Sequence, residues 1–237
     1  VEAYDDFDRM LDELRPDAVT VAVPTSYHAP VAAKVINRGI HLLLEKPIAL
    51  TVDQARQIIA QAQSHGVRLA GGHVERFNPA VRARTKLLHD GQLGRVFQIC
   101  TRRQGPYPAR IRDVGVTVDL AVHDLDIIRF ITGAEVSSMY ATTSSAIGSA
   151  HEDNVQGLLN LTNGAIASVA ANWITPTKIR ELSVIGESGM FRVDYLTQDL
   201  FFYENDMRPT QTSEWDSMVV LRGVKEGRMI RHVIAKK

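Results

Sequence analysis

Cysteine is nearly absent. Cys100 is the only one in 237 residues, which excludes an internal disulfide framework and any cysteine-rich zinc site. No apolar run approaches the ~20 residues that a membrane span needs, and the opening Val1-Glu2-Ala3-Tyr4-Asp5-Asp6 does not read as a secretory leader. Net charge is missing too: 27 Lys and Arg stand against 27 Asp and Glu. That balance offers no global field for nucleic acid or an anionic membrane, so neither is expected as a partner. Internal repeats and low-complexity tracts are not found. What is present is an ordinary globular balance, 45% hydrophobic and 23% charged, which excludes wholesale disorder. The expectation is a cytoplasmic α/β protein.

Residues 1–73 alternate between helix and strand. Phe7, Met10, Leu11 and Leu14 recur at helical spacing, and Pro16-Asp17 punctuates the end. Ala18 to Val23 and Ile40 to Leu44 read as strands buried on both faces, and Val67 to Ala70 as a third strand. A helix carrying Val31, Ala32, Val35 and Ile36 lies between the first two. Thr51-Val52-Asp53-Gln54 has the form of a capping box and opens another, running to about His65. Strand and helix alternating at this spacing predict a parallel sheet with right-handed crossovers. From Asn78 the pattern changes to a helix ending near Gly91, a strand at Val96 to Thr101, a helix at Val118 to Thr132, and then a β-rich tail. Asn163-Gly164 within that tail is a hairpin signal. Long antiparallel strands imply a second unit on an open sheet, one face of which needs covering, for instance by another subunit.

Ligands of open parallel sheets sit beyond the carboxyl ends of the strands. Pro24-Thr25-Ser26-Tyr27-His28 and Glu45-Lys46-Pro47 fall there. A lysine directly after a buried strand and pinned by proline is held at the crevice with little freedom. Asp119, His123 and Asp126 recur at i, i+4 and i+7, so one helix face carries all three. An Asp–His pair one turn apart suits a base with its orienting carboxylate, or equally two ligands of a metal ion, and spacing does not choose. His73 and Glu75, two apart, extend the metal alternative: with Asp119 and His123 they would surround the activated water of a hydrolase. Arg103, Arg110 and Arg112 are candidates for binding an anionic substrate group. Cys100, in an apolar strand, reads as structural.

These pieces, in this order, resemble the Gfo/Idh/MocA family of nicotinamide-dependent sugar oxidoreductases. They are Asp17-Ala18-Val19 through Val23-Pro24-Thr25 with His28, Glu45-Lys46-Pro47, Arg76-Phe77-Asn78-Pro79, Asp119-x-x-x-His123-Asp124-x-Asp126 and Gly186-x-x-Gly189. The stretches 72–79 and 110–115 look most like the members that oxidise the 3-hydroxyl of UDP-N-acetylglucosamine. The resemblance implies a partial Rossmann unit over 1–73 and an α+β substrate and oligomerisation unit over 74–237, with a large, open, mostly antiparallel sheet. It implies that Lys46, Asp119 and His123 are catalytic, with Asp119 orienting the imidazole, and that Pro24, Thr25, His28, Glu45, Lys46 and Pro47 line NAD or NADP. Arg103 and Arg110 would join Asp119 and His123 around a sugar or UDP-sugar, no metal would be needed, and a homodimer or homotetramer would form through the open sheet. The Lys46-Pro47 bond is expected to be cis. None of the 16 glycines forms a Gly-x-Gly, so the usual pyrophosphate turn is missing. The first two βα units are expected to precede Val1, and these 237 residues alone to bind the dinucleotide weakly. A non-catalytic relative that binds nucleotide sugar is the remaining alternative.

Overall fold

The computed structural model describes residues 2–108, 111, 113–148, 150–205 and 227–234. Helix α1 (Phe7–Leu14) is capped by the Asp6 carboxylate, which accepts from the Arg9 N–H, and leads into β1 (Ala18–Val21). Helix α2 (His28–Asn37), β2 (His41–Leu44), α3 (Val52–Ser64) and β3 (Leu69–Gly71) complete a three-stranded parallel sheet in the order β1-β2-β3. The capping box acts as read, the Thr51 hydroxyl accepting the Gln54 N–H.

The sheet departs from the sequence reading in one respect. Strands β1 and β2 are buried on one face only: α2 packs against both of them and α3 against α2. Thr20, Leu43 and Ala70 on the other face are exposed, because no described element covers it. The core of this half is therefore one-sided, with Leu11, Val21, Val35, Ile36, Leu42, Leu44 and Ile58 at its centre.

Helix α4 (Pro79–His89) opens the second half, with the Asn78 side chain as its cap. Strand β4 (Val96–Pro106) follows, and the long helical segment resolves into a π-helical turn at Thr117–Ala121 running directly into α5 (Val122–Thr132). Then come β5 (Val136–Ser144), β6 (Asn154–Leu161), β7 (Ile166–Asn172), β8 (Ile174–Gly186), β9 (Gly189–Asp194), β10 (Asp199–Glu204) and β11 (Met229–His232). They form an eight-stranded sheet in the order β11-β10-β9-β8-β4-β7-β6-β5. Every pair is antiparallel except β4 with β7. The Asn163-Gly164 turn joins β6 to β7 with Gly164 at φ 84°, a conformation that favours glycine.

One face of this sheet carries α4 and α5 over a core of Ile99, Ile127, Ile128, Leu182, Val184, Phe191 and Leu200. The other face is open: Tyr140, Leu158 and Ile166 are exposed, and a shallow groove of about 540 Å³ runs across it past Cys100. No helix is long and apolar enough to cross a membrane.

Arg84 of α4 breaks the pattern of this core. It is completely buried, and none of its guanidinium nitrogens has a hydrogen-bond partner among the described residues. Burial pulls its pKa down to about 10, with only the Tyr195 phenol opposing. A buried cation without a counter-charge costs more than an apolar side chain of similar length. Arg84→Met is therefore expected to stabilise the fold by about 2 kcal/mol, read as a melting temperature raised by ~4–8 °C. A lowered melting temperature would mean that the guanidinium does have an anionic neighbour in solution.

Candidate functional site

The two sheets meet at a cavity of about 440 Å³. Its walls are the chain leaving β1 (Ala22, Val23, Pro24, Thr25), the chain leaving β2 (Glu45, Lys46, Pro47), and Ile111, Asp113, Val114 and Asp119 from the approach to the π turn. The Lys46–Pro47 bond is cis. Across the cavity the Lys46 ammonium donates to the Asp119 carboxylate at 3.0 Å and to the Asp119 main-chain oxygen at 2.6 Å. Both side chains are about 15% exposed (15% and 14%), so the pair is shielded but reachable from the cavity. Two groups 73 positions apart in the chain are thereby held on one small opening. The Thr25 N–H donates to Asp113 at 3.1 Å and ties the β1 exit to the opposite wall. The Glu45 carboxylate accepts from the Lys46 N–H at 3.3 Å.

The helical triplet does not act as one unit. In the π turn Asp119 is directed to Lys46, and no hydrogen bond joins it to His123, whose Nδ1 is buried without a partner among the described residues. The expected Asp119–imidazole couple is replaced by an Asp119–Lys46 couple. Asp126, one turn past His123, pairs with the Arg76 guanidinium and lies 3.6 Å from His73 Nδ1. Arg76 is in turn stacked on Phe130.

His123 is kept uncharged. Burial, then the positive charges of Lys46, Arg103, His73 and Arg180, push its pKa down to about 3. Its neighbour Asp124 moves the other way, to about 6, because burial and the nearby Glu75 charge outweigh the pull of Arg103. The two have opposite linkage. Below the unfolded histidine value of about 6.5, the unfolded chain takes up the His123 proton first, which lowers stability as pH falls. Between about 6 and 3.8 the native Asp124 holds the extra proton, which raises it. The contributions offset one another over roughly pH 4–6. The imidazole C–H signals of His123 are expected to stay fixed in NMR titration from pH 8 to pH 5; a midpoint near pH 6.5 would show that the ring is solvated and its cationic neighbours screened.

Four residues read as ligand-facing are engaged by protein groups. His28 is buried, with both ring nitrogens engaged by the Pro47 and Val23 carbonyls at 2.8 and 2.9 Å, so it braces the two loops rather than lining the cavity. Arg103 is 4% exposed and held by Glu75 at 2.8 Å and Asp124 at 3.0 Å under the Tyr195 ring; its charge is already matched, which leaves no fork for a substrate anion. Glu75 and Asp119, committed to Arg103 and Lys46, do not converge with His73 and His123, and among the described residues no group of three or more such side chains could hold a metal ion. Arg110 and Arg112 lie outside the described residues.

Several participants have no local sequence signal. Asp113 and Arg180 reach the site only through the tertiary path of a loop and the register of β8. Glu152, which accepts the Thr117 N–H at 3.1 Å, caps the π turn from 35 positions away. It packs so tightly on Gly115 that a Cβ there would come within 2.0 Å of its carboxylate.

Comparison with known proteins agrees with this geometry. The model of the oxidoreductase family with an NAD-binding Rossmann fold matches residues 1–73, and that of the GFO/IDH/MocA C-terminal domain matches residues 81–192. UDP-N-acetylglucosamine 3-dehydrogenase of Acidithiobacillus ferrooxidans is 31% identical over 201 residues, 85% of this chain and 62% of that protein. The NAD(+)-dependent scyllo-inositol 2-dehydrogenase of Bacillus subtilis is 30% identical over 55% of this chain and 39% of its own length. The crystal structure of the Acidithiobacillus enzyme, GnnA, superposes with a TM-score of 0.83 at 28% identity, covering 100% of this chain and 70% of that one. WlbA dehydrogenase of Bordetella pertussis, solved with NADH and UDP-GlcNAcA, superposes at 0.75 and 26% identity over 80% of this chain and 59% of its own. The chain thus spans about three fifths of the first curated relative. With adjoining segments matching the family's two domains, and with the lysine and histidine motifs gathered at their junction, the chain belongs to the Gfo/Idh/MocA oxidoreductases.

Proposed function

We propose that the protein is a dehydrogenase that oxidises a ring hydroxyl of a nucleotide sugar, residues 1–73 serving the cofactor and 74–237 the substrate and assembly. The observation that carries this reading is the Lys46 ammonium fixed by Asp119 on a cavity at the carboxyl ends of β1 and β2. The cavity suits a flat ring bearing an amide. Ala22, Val23, Ile111 and Val114 give it apolar walls, and the Thr25 hydroxyl and Glu45 carboxylate supply polar groups. Pro24, Thr25, Glu45 and Pro47 would hold NAD there, and the cofactor would supply the hydride acceptor.

Lys46 donates a hydrogen bond to the substrate hydroxyl oxygen and steadies the negative charge that grows on it. His123, uncharged at neutral pH, accepts the hydroxyl proton. Loading that proton on the free enzyme at pH 7 costs about 5 kcal/mol, 4 pKa units at 1.36 kcal/mol each. A carbinol losing its hydride becomes a far stronger acid than any imidazolium, so a weak base is sufficient. The same low pKa makes His123 give up the proton to solvent immediately afterwards. Asp119 keeps the Lys46 amine aimed.

The open face of the eight-stranded sheet, with exposed Tyr140, Leu158 and Ile166, supports a homo-oligomer built through it, and the composition supports a cytoplasmic enzyme. Absorbance of NADH formed from NAD and UDP-N-acetylglucosamine by the full-length protein tests the assignment. A panel of UDP-sugars and inositols giving no NADH or NADPH, with the folded protein shown to bind UDP, would replace the dehydrogenase with a binding protein.

A further inference from the structure

Strand β8 sets Arg180 directly opposite Arg103 of β4. Side chains opposite one another in an antiparallel pair lie on the same face of the sheet, so Arg180 stands on the helix-covered face that carries Asp124 and the α5 end of the site. Two cations facing each other across strands repel, and the chain resolves them differently. Arg103 is buried with two carboxylates. Arg180 has no carboxylate within ion-pair distance among the described residues. Its Nη1 is spent on two main-chain carbonyls, Gln104 at 2.5 Å and Ile179 at 2.8 Å, which clamp the guanidinium in place. It is half-buried, and Nε and Nη2 have no protein acceptor among the described residues. Those three remaining N–H groups form the edge of the guanidinium that matches two oxygens of a phosphate.

The charges around Arg180 place it near the reacting groups. Arg103, Asp124, Glu75 and Asp119 all act on it, and it acts in turn on His123. Burial and Arg103 hold its pKa below the ordinary arginine value, the state of a cation short of an anionic partner.

We propose that Arg180 is the anchor for a phosphate of the substrate, its free Nε–Nη2 edge binding the diphosphate of a nucleotide sugar and thereby selecting it over the free sugar. This rests on the dehydrogenase reading for its substrate class. Phosphate recognition by a pre-clamped guanidinium raises binding without entering the chemical step, so its signature is a KM effect confined to the charged substrate.

The test compares the full-length wild type with Arg180→Met and Arg180→Lys. For Arg180→Met, KM for UDP-N-acetylglucosamine is expected to rise 10- to 100-fold, KM for free N-acetylglucosamine by less than threefold, and Arg180→Lys to recover part of the loss. Calorimetric titration with UDP alone gives a reading that needs no turnover, and its affinity is expected to fall by a similar factor in Arg180→Met. If wild type fails to oxidise any sugar yet UDP binding still depends on Arg180, the dehydrogenase reading falls and the phosphate anchor stands. Equal KM losses for charged and uncharged sugars, or unchanged UDP affinity, overturn the anchor.

Discussion

Lys46→Met in the full-length protein is expected to lower kcat of the proposed dehydrogenase by three orders of magnitude or more, while the melting temperature stays within a few degrees of wild type. Three orders correspond to about 4 kcal/mol of transition-state stabilisation, the upper range for a single donor at a developing oxyanion. That range is expected here because the methionine removes the donor and also leaves the Asp119 carboxylate beside the reacting oxygen with no cation to balance it. Lys46→Arg does not rescue: a planar guanidinium cannot repeat the compact contact with both the carboxylate and main-chain oxygen of Asp119. Asp119→Asn is milder, a loss of about 10- to 50-fold, since the main-chain acceptor at 2.6 Å remains. Steady-state NADH production settles the ranking. A Lys46→Met enzyme within tenfold of wild type removes this amine from the chemistry, and an Asp119→Asn loss equal to that of Lys46→Met removes the distinction between its two acceptors.

The second large effect concerns folding. Arg103→Met is expected to destabilise the protein by about 3–5 kcal/mol, the usual result of removing one member of a buried ionic group. Asp124, 1% exposed, and Glu75 lose the cation they share. The loss has a pH signature. Without Arg103 the native Asp124 carboxyl, already raised by burial, holds its proton more tightly still, so stability of the variant rises as pH falls from 7 toward 5, where the stability of wild type changes little. Removing the orphaned charge as well, in Arg103→Met with Asp124→Asn, is expected to restore most of the loss. Denaturant midpoints at pH 7 and pH 5 measure both. A variant equally unstable at the two values would show that packing, not charge, accounts for Arg103. The contrast with Arg84 is instructive: two buried arginines in one half of the molecule, one with partners and one without, carry opposite expected signs.

What could be read along the chain was whatever depends on neighbours in sequence. The Thr51 cap, the Asn163-Gly164 turn, the strand at 96–101 and the β-rich tail follow from local spacing and turn chemistry, and all are present. Lys46 was legible because a strand end followed by proline fixes where a side chain can go. Arg103 and His28, read as ligand-facing, face protein groups for one reason: residue type gives the capacity to bind an anion or a cofactor, but only packing shows whether that capacity is already used. Glu75 with Asp124, and the Val23 and Pro47 carbonyls, use it up. Arg180 was invisible because its meaning depends on the β4–β8 register across 77 positions, which no local pattern encodes. Strand β11 escaped because four residues, Met229–His232, carry too little alternation to stand out.

The π turn at Thr117–Ala121 has a consequence for how such enzymes change over time. A surplus residue wound into one coil lets the segment before it rotate against the segment after it without disturbing either set of packing contacts. The carboxylate upstream can be re-aimed by losing or gaining a single position, while the imidazole downstream stays anchored to α5. Deleting one residue between 117 and 121 would swing Asp119 away from the amine and leave the rest of the helix in register. Spacing counted in letters is therefore a poor ruler at this spot: the winding of the coil, not the count of positions, decides where the upstream carboxylate points.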